Sequence, residues 1–127
     1  MRVKYLSLEE ILRLHFQLVE DFGGSHGVRD EGRLISAINA PKLEAFEVEQ
    51  YSSIHEKAAV YFRNIIGDHL FVDGNKRTAV TAGGIFLRRN DKRLTASQKE
   101  LEDFTLRVVN EHLEITEIAE WLEDHTK

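Results

Sequence analysis

Between His69 and Arg77 the chain reads H-L-F-V-D-G-N-K-R, a string in which nearly every residue type can do chemistry. The spacing predicts a turn at Asp73-Gly74-Asn75 between two helices, with glycine letting successive backbone N–H groups point to one side. The next helix presents its unpaired donors at the same place, and such N–H clusters bind phosphate. Lys76 would add a point charge and Arg77 a bidentate fork. Both oppose the helix dipole in the first turn, a conflict that an anion seated between them removes. Asp73, a carboxylate beside phosphate donors, suits magnesium, which takes one or two carboxylates together with substrate phosphates. An imidazole ordinarily titrates at about pH 6.5, so His69 can take the proton of an attacking hydroxyl as general base. The candidate catalytic residues are therefore His69, Asp73, Lys76 and Arg77. Gly74, Asn75, Lys76 and Arg77 form the phosphate nest, Asp73 is the metal ligand, and Phe71 points inward to anchor the loop.

The fragment D-G-N-K-R alone also reads as an ordinary turn and helix start, with Asn75 as N-cap. The seven specified residues together decide against that: at about one in twenty each, a chance match is on the order of one in a billion per position.

These residues must be positioned by helices. Ser7 and Glu10 make a capping box, after which Leu8, Ile11, Leu12, His15, Leu18, Val19 and Phe22 recur at helical spacing until Gly23-Gly24. Asp30 caps a shorter helix carrying Leu34, Ala37 and Ile38 that must end near Pro41. The loop between them, Gly23 to Gly27, is glycine-rich. Ser53 and Glu56 open a third helix, with Gly67 as its stop, which delivers the chain to His69. The helix from about Asn75 to Arg89 has small residues at Ala79, Thr81, Ala82, Gly83 and Gly84, and is expected to be the central, most buried one. Ser97 and Glu100 cap a fifth helix; Ile115, Ile118, Ala119 and Leu122 mark a last one. Strand-like alternation is confined to Val3–Leu6 and Arg93–Thr95. The expected fold is all-α, a compact domain over residues 1–127 with six or seven helices.

At 127 residues with 42% hydrophobic content the chain can bury a core without staples, and it has no cysteine to supply any. A reducing, cytoplasmic setting suits that composition, and no run is apolar enough for a leader or a membrane span. A net charge of -5 argues against general nucleic-acid binding. Positive charge is local: Lys76, Arg77, Arg88, Arg89, Lys92 and Arg93 face only Asp91 between residues 76 and 93. The last four are equally well explained as a solvated helix end.

The string H-x-F-x-[DE]-G-N-[GK]-R is the signature of the Fic/Doc superfamily, and the lysine form with its trailing T-A resembles the Doc (death on curing) branch. Gly23-Gly24, Gly27 to Leu34, Pro41 and Phe86 to Asn90 resemble the same branch, so the likeness covers most of the chain. The resemblance implies a compact helical fold in which His69 is the base, Asp73 holds magnesium, and Gly74, Asn75 and Arg77 grip nucleotide phosphates. Two positions depart from the AMP-transferring majority: Lys76 replaces glycine, and Val80 stands where a second arginine is usual. A long cation crowding the nest and a lost grip on the triphosphate both fit presentation of a terminal phosphate. The resemblance then implies a toxin of a toxin–antitoxin pair, a protein kinase that moves the γ-phosphate of ATP to a threonine of translation elongation factor Tu and is silenced by a separate antitoxin protein. No segment matches the internal [ST]-x-x-x-E-[GN] inhibitory helix.

Other histidines rank lower. His15, on the apolar face of the first helix, is expected to be a hydrogen-bonded core residue. His55-Glu56 begins like a zinc-protease motif but meets Ala59 where the second histidine belongs. His26 is expected at the surface, and His112 and His125 have no ligand-spaced neighbours. Two further readings stay open: an AMP transferase using the same residues, and an inactive module that only binds its antitoxin.

Overall fold

The computed structural model describes residues 2–127. Six helices follow in order: α1 (Leu8–Phe22), α2 (Glu31–Asn39), α3 (Ile54–Gly67), α4 (Asn75–Arg89), α5 (Gln98–Glu111) and α6 (Ile115–Asp124). The all-α expectation holds, and each predicted start is made by the expected side chain. Ser7, Ser53 and Ser97 accept from the backbone N–H three residues on, while Glu10, Glu56 and Glu100 return the bond. Each such cap is worth about 1 kcal/mol. Asp30 caps α2, which gives way at Pro41 to a short 3-10 turn, Ala40–Lys42.

Three expectations are corrected. The helix most enclosed is α3 rather than α4: residues 57–62, Ile65 and Ile66 are buried, and α3 packs against α2, α4, α5 and α6. The small residues of α4 are enclosed as well, Ala79 and Ala82 fully buried, and Phe62 of α3 lies at ordinary contact distance, 3.6 Å, from where a Cβ on Gly83 would stand. Gly67 is the last residue of α3, as expected, but not its left-handed stop. It stays helical, Asp68 caps, and the left-handed residue is His69. The strands also lie elsewhere: β1 (Glu44–Ala45) and β2 (Val48–Glu49) form a two-stranded antiparallel hairpin, whereas Val3–Leu6 has no strand and Arg93–Thr95 contributes one isolated bridge, Leu94 to Thr126.

One hydrophobic core serves all six helices, with Tyr61, Phe62, Phe71 and Phe86 among its largest members. Lys57 is buried with them, and its ammonium donates to the carbonyls of Pro41 and Tyr51 and pairs with Glu49, so it ties the hairpin segment to α3. At the opposite end of α4, Arg89 pairs with Glu10 of α1, so this member of the basic cluster joins two helices and is not merely solvated. No helix among the described residues is long and apolar enough to cross a membrane.

Candidate active site

The chain leaves α3 at Asp68 and turns through His69, whose φ of 47° is left-handed. A side chain with a Cβ pays steric strain there, of order 1 kcal/mol or more. The turn sends Leu70 and Phe71 fully into the core while His69 remains exposed. Phe71 thus anchors the loop as expected. Gly74 is left-handed at φ 76° and stands as N-cap of α4 without any side-chain bond to the helix. The first intrahelical bond is Thr78 N–H to the Gly74 carbonyl, so the N–H groups of Asn75, Lys76 and Arg77 precede the ladder.

Asn75 is not the N-cap. Its side chain reaches back instead, Oδ1 accepting from Phe71 N–H at 3.0 Å and Nδ2 donating to Phe71 C=O at 2.9 Å. Asp73 holds its carboxylate through two backbone donors: Oδ1 accepts from Gly74 N–H at 2.9 Å and Oδ2 from Ser25 N–H at 3.1 Å. Each oxygen keeps a lone pair for another partner. Arg77 lays its guanidinium over the ring of Phe22, 4.2 Å from the centroid.

His69, Asp73, Gly74, Asn75, Lys76 and Arg77 all line one cavity of about 1040 Å³. The structure therefore brings every proposed catalytic, phosphate and metal residue of the motif to the same space, which also meets Val80 and Thr81 of α4 and Gln98, Leu101 and Glu102 of α5. The polar side is the motif; the apolar side comes from Leu18 and Phe22 of α1 and from Leu101, Leu106 and Val109 of α5.

The glycine loop after α1 supports the motif and was not read as part of it. Gly27 C=O accepts from Val72 N–H at 3.0 Å, Leu70 C=O accepts from Arg29 N–H at 2.8 Å, and Val28 and Phe71 form an antiparallel bridge. Gly24, at φ 114°, lies so close that a Cβ would stand 2.8 Å from Asp73 Oδ2. Two consecutive glycines beyond what a helix stop needs were the available signal. His26 is a surface residue as expected, exposed, stacked on Phe16 and bonded to Glu20. His15 is buried, as expected of a core histidine.

The Fic/DOC family profile matches residues 5–87, which span both α1 and the whole motif. The chain belongs to the Fic/DOC family. It is similar to a protein named protein kinase doc of Escherichia phage P1, 30% identical over 120 residues that cover 94% of each chain. It also resembles a protein named toxin Doc of Mycolicibacterium smegmatis, 40% identical over 75 residues covering 59% of this chain and 58% of the relative. Lys76 and Val80, the two positions that depart from the AMP-transferring majority, both line the cavity.

The donor set suits a magnesium ion shared with substrate. Among the described residues no three His, Asp, Glu or Cys side chains gather to cage a metal. The exposed Asp73 carboxylate, beside the open N–H donors of α4, could hold a magnesium that a phosphate substrate brings.

Proposed function

We propose that this Fic/DOC chain is a Doc-type toxin that transfers the γ-phosphate of ATP to a hydroxyl of a protein target, a threonine of translation elongation factor Tu, in the cytoplasm. One observation carries the reading: the uncapped first turn of α4, with Lys76 and Arg77 on it, faces the same cavity as His69 and Asp73. The names of the two relatives, one a protein kinase and one a toxin, support it.

In this mechanism the N–H groups of Asn75 to Arg77 and the Lys76 and Arg77 cations hold the terminal phosphates in place, the Gly74 N–H being taken by Asp73 Oδ1. Asp73 would hold magnesium, which supplies neutralising charge to the phosphate oxygens. The target hydroxyl attacks the γ-phosphorus, its proton passes to a ring nitrogen of His69, and the bond to the β-phosphate oxygen breaks to release ADP. Val80, an alkyl group where an arginine would grip further along a triphosphate, leaves the end phosphate as the one held. A separate antitoxin protein keeps the toxin silent in this reading.

The test is transfer to purified elongation factor Tu with ATP labelled in the γ- or the α-phosphate. Label from γ alone, lost in His69→Ala and in Asp73→Ala, is expected. Label from α would replace the reading with AMP transfer. No label from either, with His69→Ala as toxic as the native chain, would leave only a binding role.

A further inference from the structure

His15 is a buried imidazole, 4% exposed, that the mechanism above does not use. It lies on α1 under the motif, its ring stacked on Phe71 at 3.8 Å and 7°. Its Nε2 is 2.8 Å from the carbonyl oxygen of Asp73, 58 residues away. The space over its ring is shared with Gly74, whose absent Cβ would stand 3.7 Å from His15 Nε2. A filler of the core would need only the ring; here the polar edge is spent on the main chain of the candidate site.

We infer that His15 is a positioning residue that orients the Asp73–Gly74 peptide and, through it, the Asp73 carboxylate. The Asp73 C=O and the Gly74 N–H belong to the same planar peptide unit and point in opposite directions. His15 holds the oxygen end; the N–H end donates to Asp73 Oδ1 at 2.9 Å. Fixing the first therefore fixes the direction from which the second reaches the carboxylate. A carbonyl can only accept, so Nε2 must carry the proton, and Nδ1–H as the sole protonated nitrogen is incompatible with the contact. Phe71, stacked on the ring and gripped by Asn75, stops the imidazole from rotating away.

Its consequence for transfer rests on the phosphotransfer reading; the positioning itself does not. The first measurement is made on the native protein: nitrogen NMR of His15 is expected to place the ring proton on Nε2, and a neutral Nδ1–H ring would overturn the inference. The second compares His15→Gln, whose side-chain amide can still donate, with His15→Phe, which keeps the stacked ring and loses the donor. With inorganic phosphate as probe, followed at the amides of Asn75 to Arg77, His15→Phe is expected to bind about ten-fold more weakly, the worth of one hydrogen bond. His15→Gln is expected within about three-fold of the native chain. Equal binding by His15→Phe and the native chain, or a loss in His15→Gln as large as in His15→Phe, would overturn it. Native protein that binds phosphate at these amides with the expected ordering of variants, but labels no protein from γ-labelled ATP, would sink the kinase reading and leave the positioning role standing.

Discussion

Asn75 holds Phe71 by both ends of one amide, accepting from its N–H and donating to its C=O across a four-residue loop. This closes Phe71 to Asn75 into a ring that fixes where Asp73 and Gly74 lie between the two. Asn75→Ala is expected to cost about 1–3 kcal/mol of stability, the worth of two neutral hydrogen bonds. Its effect on transfer should be larger, about a hundred-fold in kcat, because small misplacements of a reacting site are that costly. Thermal melts beside γ-phosphate transfer check both. Activity near native in a folded Asn75→Ala would show that the ring does not set the site.

His69 sits in left-handed backbone that favours glycine. His69→Gly is therefore expected to melt above His69→Ala, by about 1 kcal/mol, since only the alanine retains the Cβ clash. Both should lose transfer alike. Calorimetry of the two variants side by side measures the strain at the position proposed for the base.

Gly24 leaves no room for a side chain against Asp73 Oδ2. Gly24→Ala must displace the carboxylate or the loop, and its φ of 114° adds strain of about 1–2 kcal/mol. The expected outcome is a higher magnesium concentration for half-maximal transfer, with the fold retained by circular dichroism. An unchanged magnesium requirement would separate the glycine loop from metal binding.

Glu10 is held well below the ordinary carboxylate range, at about 2, chiefly by its hydrogen bond to the Arg89 guanidinium and aided by the Ser7 backbone. Its folded value is depressed, so its contribution is complete above about pH 4.5 and is lost as pH falls toward about 2. Both partners are about one-third exposed, so solvent screening limits the pair to under about 1 kcal/mol. Glu10→Gln is expected to lower stability by that amount at pH 7 and to differ little from the native chain at about pH 2. Denaturant melts across the acid range provide the comparison.

Much of the fold was legible because its signals are local. A serine three residues before a glutamate, or an aspartate ahead of an apolar stripe, specifies a helix start within one turn, and Ser7, Asp30, Ser53 and Ser97 all cap as their sequences imply. The hairpin escaped because its two-residue connection is Phe46-Glu47, both at positive φ, where glycine or asparagine is the usual mark. The burial order of α3 and α4 escaped because small side chains are equally consistent with being enclosed and with making room for a neighbour. At the site the motif could be read, but its supports could not. Ser25 and His15 meet Asp73 across 48 and 58 residues, and no periodicity in a single sequence reports such a contact. A polar residue on the apolar face of α1, needing a buried partner, was the trace that His15 left.

That long-range support determines when, as well as where, the proposed phosphate nest exists. The peptide after Asp73 is held by α1 and the carboxylate by the loop that follows α1, so neither constraint is present in a fragment containing only α3, the motif and α4. Closing chain separations of 48 and 58 residues is slow relative to forming a helix, which places completion of the nest late in folding. A chain nicked so as to lose α1 and its following loop would carry every residue of the motif and still lack its shape.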